Sequence, residues 1–132
     1  MKYAFVVAED INLGVGYIMS YLRKEGHNVR LFFDPRQFNR GYSRNKFLAR
    51  LLDINEIIVD DIRKYAPDYC CISCVTATYQ WALQTAEKVK KRLPYTKIVF
   101  GGTHPTLVPE EVRKHWIIDD VVIGDGIEYF GG

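Results

Sequence analysis

The chain lacks any apolar run approaching the ~20 residues that a membrane-spanning helix requires. Its charge is also nearly balanced, at +2 over 132 residues. The first absence leaves no expected membrane span. The second excludes the strong positive field of a dedicated nucleic-acid binder. The N-terminus has no basic lead-in, and Tyr3–Ala8 is shorter than the about 7–15 residues of a secretory apolar region. A cytoplasmic location is therefore expected. Cysteine is scarce, with three residues, Cys70, Cys71 and Cys74, crowded into one stretch. Cys71 and Cys74 have the spacing of half a metal site, but no second half exists. A redox pair at this spacing should open a helix, whereas this one closes an apolar run. The expected role of all three is that of small buried apolar residues in a reducing compartment.

What the chain does have is an ordinary apolar fraction of 48%, enough for one buried core. Apolar runs alternate with segments of helical period, which predicts βαβ units and a parallel sheet. The expected strands are Tyr3–Ala8, Val29–Phe33, Tyr69–Cys74, Lys97–Phe100 and Asp120–Ile123. Helices are expected over about 15–25, stopped by Gly26, over 54–65, over 79–93 before Pro94, and over 110–115. The expected fold class is α/β: a three-layer, doubly wound five-stranded parallel sheet, flavodoxin-like or Rossmann-like; the flavodoxin-like arrangement implies strand order 2-1-3-4-5. Residues 127–132 read as the opening turn of a further helix. Apolar surface left uncovered there predicts a single domain, 1–132, cut from a longer protein or docked on a partner.

Pro35 to Leu52 stands apart. It carries Arg36, Arg40, Arg44, Lys46 and Arg50, interleaved with Phe38, Tyr42 and Phe47, and no acidic residue. The expected role is a solvated excursion whose aromatics pack on the sheet edge. A neighbouring domain is the functional alternative, ahead of phosphate or RNA.

In such a sheet, ligands bind outside the carboxyl ends of the strands. Four of those exits are rich in small or hydroxyl residues: Glu9 to Gly16, Ser73 to Thr78, Gly101 to Thr106, and Gly124 to Gly126. Paired glycines after a buried strand mark a place where something bulky approaches the backbone. Gly14-Val15-Gly16 resembles the opening of a dinucleotide fingerprint, and Asp34 stands where its acidic residue would. However, Met19 occupies the third glycine position, and the turn before Gly14 is too long to hold a pyrophosphate. A phosphoacceptor receiver domain would use Glu9 and Asp10 for Mg²⁺. It fails because Ser73 stands in place of the phosphorylated Asp, and Gly124 and Asp125 in place of the Lys.

A third pattern covers nearly the whole chain, from Tyr3 to about Tyr129. Ser73-Cys74-Val75, then 25 residues, then Gly101-Gly102 resembles the Ser-x-Leu … Gly-Gly pattern of cobalamin-binding domains like that of methionine synthase. Asn12-Leu13-Gly14-Val15-Gly16-Tyr17, Ser73 to Tyr79, Gly101 to Thr106 and Val122-Ile123-Gly124-Asp125-Gly126 together resemble the N-terminal cobalamin-binding domain of cobalamin-dependent radical S-adenosylmethionine enzymes. That group includes methyltransferases and the anaerobic magnesium-protoporphyrin IX monomethyl ester cyclase.

The resemblance implies a cobalamin whose benzimidazole tail leaves cobalt and enters a slot between strand ends. Ser73, Val75, Gly101 and Gly102 would line that slot, the glycines because a Cβ would collide with the tail. Thr76, Ala77 and Thr78 would hydrogen-bond the tail or the corrin amides. Asn12, Leu13, Gly14 and Gly16 would lie beneath the corrin, and Gly124, Asp125 and Gly126 at its edge. His104, Pro105 and Thr106 belong to the glycine loop, where His104 is expected to contact corrin amides or cap a turn rather than bind cobalt. His27 and His115 are expected on the far side, exposed.

Methionine synthase-like domains carry a cobalt-binding His in the first loop. Here that loop reads Asp10-Ile11-Asn12-Leu13-Gly14, so the resemblance implies base-off, His-off cobalamin with no metal ligand from the protein. The CxxxCxxC of a [4Fe–4S] cluster is absent, so S-adenosylmethionine and the iron–sulfur cluster would belong to a C-terminal radical domain of the parent enzyme. The implied partners are cobalamin and that domain, without nucleic acid. No residue here is expected to act as acid, base or nucleophile. The alternative is a flavodoxin-like nucleotide or flavin module without cobalamin.

Overall fold

The computed structural model describes residues 1–8, 13–34, 54–124 and 126–131. The basic-aromatic segment from Pro35, the acidic pair Glu9 and Asp10, Asn12 and Asp125 lie outside them. The chain order is β1 (Lys2–Ala8), α1 (Leu13–Lys24), β2 (Asn28–Asp34), α2 (Ile54–Tyr65), β3 (Tyr69–Ser73), a 3-10 turn (Thr76–Thr78), α3 (Tyr79–Arg92), β4 (Lys97–Gly101), α4 (Thr103–Leu107), α5 (Pro109–Arg113), β5 (Asp120–Val121) and α6 (Ile127–Gly131). The five strands form one sheet in the order β2-β1-β3-β4-β5. All four pairings are parallel, as the predicted fold class requires.

Parallel strands buried on both faces read as unbroken apolar runs, and alternate residues divide between the faces. Ala4, Val6, Cys70, Ile72, Ile98 and Phe100 point to the face covered by α2, α3 and α5. Phe5, Val7, Cys71 and Val99 point to the opposite face, under α1 and α6. Helix α1 lies on that second face because Val15, Ile18, Met19 and Leu22 recur at helical spacing and are all buried. Gly26, at φ +89°, ends it in the left-handed conformation usual after a helix. All three cysteines are buried free thiols, as expected. Burial pushes Cys70 and Cys74 up to about 12, and Cys71 well above its ordinary value.

The face under α2 and α3 contains a buried polar network that the sequence did not announce. Asp34, 1% exposed at the end of β2, accepts a 2.9 Å hydrogen bond from Trp81 Nε1 and a 3.3 Å bond from Asn55 Nδ2. Asn55 also donates to Thr85 Oγ1 at 3.0 Å and accepts from Lys88 Nζ at 2.7 Å. Burying a carboxylate is tolerable only with such partners. Here they fasten α2 and α3 to the edge strand β2. On α2, by contrast, Ile57 is 55% exposed, and Ile58, Val59 and Ile62 make the inward stripe.

Two expectations at the strand exits need correction. The segment after Gly102 is not an open loop but the helix α4, closed by Thr106 N–H to Gly102 O at 3.2 Å and Val108 N–H to His104 O at 3.0 Å. Pro105 fits its first turn, where no backbone N–H is required. The fifth strand is shorter than expected, Asp120–Val121. His27 and His115 are only half-buried rather than free in solvent. His27 Nδ1 meets the N-terminal amine at 3.3 Å.

Candidate functional site

At the carboxyl edge of the sheet, the α1 face opens into a cavity of about 340 Å³. Its floor is the alternating sheet residues Phe5, Cys71, Val99 and Val122. Val15 and Ile18 of α1 form one wall, and Phe130 of α6 another. Phe130 packs on Phe5 at 5.7 Å and on Tyr3 at 6.0 Å between ring centroids. The rim is built by the strand exits: Ser73, Gly101, Gly102, Thr103 and Thr106, with Gly14, Gly124 and Gly126 closing the circle. Among the described residues, none that lines the cavity carries a charged side chain.

The two adjacent glycines are needed for different reasons. A Cβ on Gly102 would lie 2.6 Å from Cys74 O and 3.0 Å from Cys74 N, at a φ of +105°. Gly102 therefore lets the chain leaving β4 pass close against Cys74 at the end of β3; the collision is with the protein itself, not first with a ligand. A Cβ on Gly101 would meet only Val122 Cβ, at an ordinary 3.7 Å. Gly101 thus keeps cleared a space the fold could have filled. Gly126 resembles Gly102: at φ +79°, its Cβ would come within 2.9 Å of Ile18 Cδ1.

Thr106 braces the rim. Its hydroxyl donates to Gly102 O at 2.8 Å and accepts from Gly124 N–H at 3.0 Å, tying the β4 exit to the β5 exit. The hydroxyls of Ser73 and Thr103 have no hydrogen-bond partner among the described residues and remain at the mouth.

Not every predicted site residue lines the cavity. Ser73, Gly14, Gly101, Gly102, Thr106, Gly124 and Gly126 do. Val75 does not: β3 ends at Ser73, Cys74 turns into the opposite face, and Val75 emerges 47% exposed. Thr76, Ala77, Thr78, His104 and Pro105 form a ledge beside the mouth. Thr78 is buried, its hydroxyl accepting from Val75 N–H at 3.0 Å and donating to Val75 O at 3.3 Å. This hydroxyl holds the turn rather than facing a ligand. His104 Nδ1 pairs with Thr76 Oγ1 at 3.1 Å, and its ring lies 4.2 Å from that of Tyr79. Gly16 is exposed on α1 with nothing around its Cβ position. Leu13 opens α1, and its side chain is not among those described.

Sequence reasoning missed the floor residues Phe5, Cys71 and Val99 and the wall residues Val15, Ile18 and Phe130. The alternation of β1, β3 and β4 carried the signal, since it puts Phe5, Cys71 and Val99 on the face that α1 shares.

A parallel sheet of this order, with a cavity at the carboxyl ends of its strands, defines a flavodoxin-like ligand-binding module. The family model for the B12 binding domain matches residues 6–131. The chain belongs to that family and is a cobalamin-binding domain. The reading without cobalamin is not favoured. No curated protein matches the sequence. Among solved structures, the periplasmic domain of the lipopolysaccharide acetyltransferase of Salmonella ser. Paratyphi A is similar, at 18% identity and a TM-score of 0.53. The match covers 76% of this chain and 44% of that one, and it concerns the fold alone. No helix among the described residues is long and apolar enough to cross a membrane.

The cavity fits part of a cobalamin. It is apolar and uncharged below and carries hydroxyls at its mouth, which suits a flat heteroaromatic ring joined to a polar chain. It does not suit a phosphate placed deep.

Proposed function

We propose that this domain holds cobalamin with the benzimidazole tail released from cobalt and seated in the α1-face cavity, without a histidine on the lower face. The observation that carries this reading is the space kept open at Gly101 above an uncharged floor. Ser73 and Thr103 would meet the polar end of the tail, and Phe5, Val99, Val122 and Phe130 its ring. Asn12, Leu13, Gly14 and Gly16 would lie beneath the corrin, with the Thr76–Ala77 ledge, His104 and Pro105 beside it and Gly124, Asp125 and Gly126 at its edge. The pairing of His104 with Thr76 supports a rim role for that histidine.

The domain would serve a radical S-adenosylmethionine enzyme of the cytoplasm, of the methyltransferase or oxidative-cyclase type. The four motifs shared with that group support this assignment. The [4Fe–4S] cluster and S-adenosylmethionine would sit in the parent enzyme's other domain. Bound cobalamin would supply a cobalt that carries a methyl group or takes part in ring closure; this chain binds, orients and shields it.

Hydroxocobalamin added in excess and removed by gel filtration tests the reading. Folded protein should elute coloured, with a visible spectrum altered from that of the free cofactor. Colourless folded protein would count against it.

A further inference from the structure

We propose that the cavity selects among cobamides by their lower base, accepting apolar aromatic bases and disfavouring purines. The inference rests on the tail-binding reading above and deepens it. Polarity in the cavity is graded. At the mouth stand the hydroxyls of Ser73 and Thr103. Deeper, every described side chain that lines the cavity is hydrocarbon except Cys71. Phe5, Val99 and Val122 are 3%, 1% and 6% exposed. The backbone beneath Phe5 and Val99 is committed to the parallel ladder, with Cys71 registered on both, and Val122 N–H donates to Phe100 O at 2.8 Å.

Cys71 is a weak hydrogen-bonding group, and burial keeps it a neutral thiol. A dimethylbenzimidazole ring offers only its methylated carbon edge to such a floor. Adenine would bring an exocyclic amine and ring nitrogens, each losing water without gaining a partner. Buried polar groups left unpaired are among the strongest sources of discrimination a site can have. The expected penalty is roughly tenfold to a hundredfold in affinity.

The order of affinities is informative because adenine is the poorer cobalt ligand. A site that merely required a displaced tail would bind the adenyl cobamide more tightly than cobalamin. A site that reads the base binds it more weakly.

Dissociation constants measured by visible-spectrum titration for cobalamin, its adenyl counterpart and tail-less cobinamide separate the cases. Cobalamin binding at least tenfold tighter than both others supports base selection. The adenyl cobamide binding as tightly as cobalamin or more tightly, with both tighter than cobinamide, overturns the selectivity while leaving the tail-binding reading intact. Cobinamide binding as tightly as cobalamin overturns the tail-binding reading itself, and the selectivity with it.

Discussion

The two faces of the sheet are made from the same strands and finished differently. Under α2 and α3, the face is filled to its carboxyl edge: Phe100 is fully buried, and Asp34 with Trp81 and Asn55 closes the corner at β2. Under α1, the register position after Val99 on that face is Gly101, and the space above Val122 stays open. A binding site here is a local omission of side chains in an otherwise complete core. Strain is not needed to create it, and substitutions on the two faces should therefore separate stability from binding.

The largest effect is expected at Gly102, which belongs to the fold rather than to either function. Gly102→Val forces a branched side chain into a left-handed backbone against Cys74 O. It should cost about 3 kcal/mol or more, read by chemical denaturation. This corrects the simpler idea that both glycines exist only to admit a ligand. Next, on the filled face, Asp34→Ala removes the acceptor of the Trp81 indole N–H and one of the two acceptors of Asn55 Nδ2. A loss of about 2–4 kcal/mol is expected, with the cobalamin dissociation constant of the folded fraction unchanged. An affinity that fell in parallel would mean that the two faces are not independent.

Gly101→Val is the converse. Its backbone is an ordinary strand conformation and its Cβ has room, so stability should change by less than about 1.5 kcal/mol. Its methyls enter the cavity, and cobalamin affinity should drop at least tenfold, roughly the 1.4 kcal/mol of a single methyl-sized conflict. Unaltered affinity in well-folded Gly101→Val protein would place the tail elsewhere.

The smallest effect concerns Asp119. Burial alone would raise its carboxyl, but hydrogen bonds from Lys90 and from Ile98 N–H outweigh that and hold it below its ordinary value. A depressed folded-state carboxyl stabilises above the unfolded pKa, and that contribution is lost as pH falls through the folded value. Because Asp119 is partly exposed, solvent screening keeps the term under about 1 kcal/mol. Asp119→Asn should slightly flatten the acid limb of a stability–pH curve and leave binding alone.

Much of this was legible in the sequence, for identifiable reasons. Helix 54–65 and the alternation of strands with helices followed from periodicity and from turn residues such as Gly26 and Pro94, while the strand order came with the flavodoxin-like arrangement. Ser73 and the glycine pair pointed to the strand ends where the cavity opens. What was not legible arises from contacts across the chain. The partner of Trp81 is Asp34, on another element, and no local pattern predicts it. The separate duties of Gly101 and Gly102 depend on where β3 runs. Val75 falls outside the cavity because β3 ends at Ser73, one residue before the expected Cys74, which turns into the opposite core. Helix α4 was hidden by Pro105, which reads as a breaker but is harmless in a first turn.

The central claim is that the opening in the α1 face draws the base off cobalt and that no histidine replaces it. The electron paramagnetic resonance spectrum of protein-bound cob(II)alamin tests it most directly, since a coordinated nitrogen splits the cobalt lines into triplets. The account predicts that these triplets vanish on binding. Their persistence would contradict it, and protein labelled with ¹⁵N-histidine would then show whether the nitrogen belongs to the tail or to a residue such as His104.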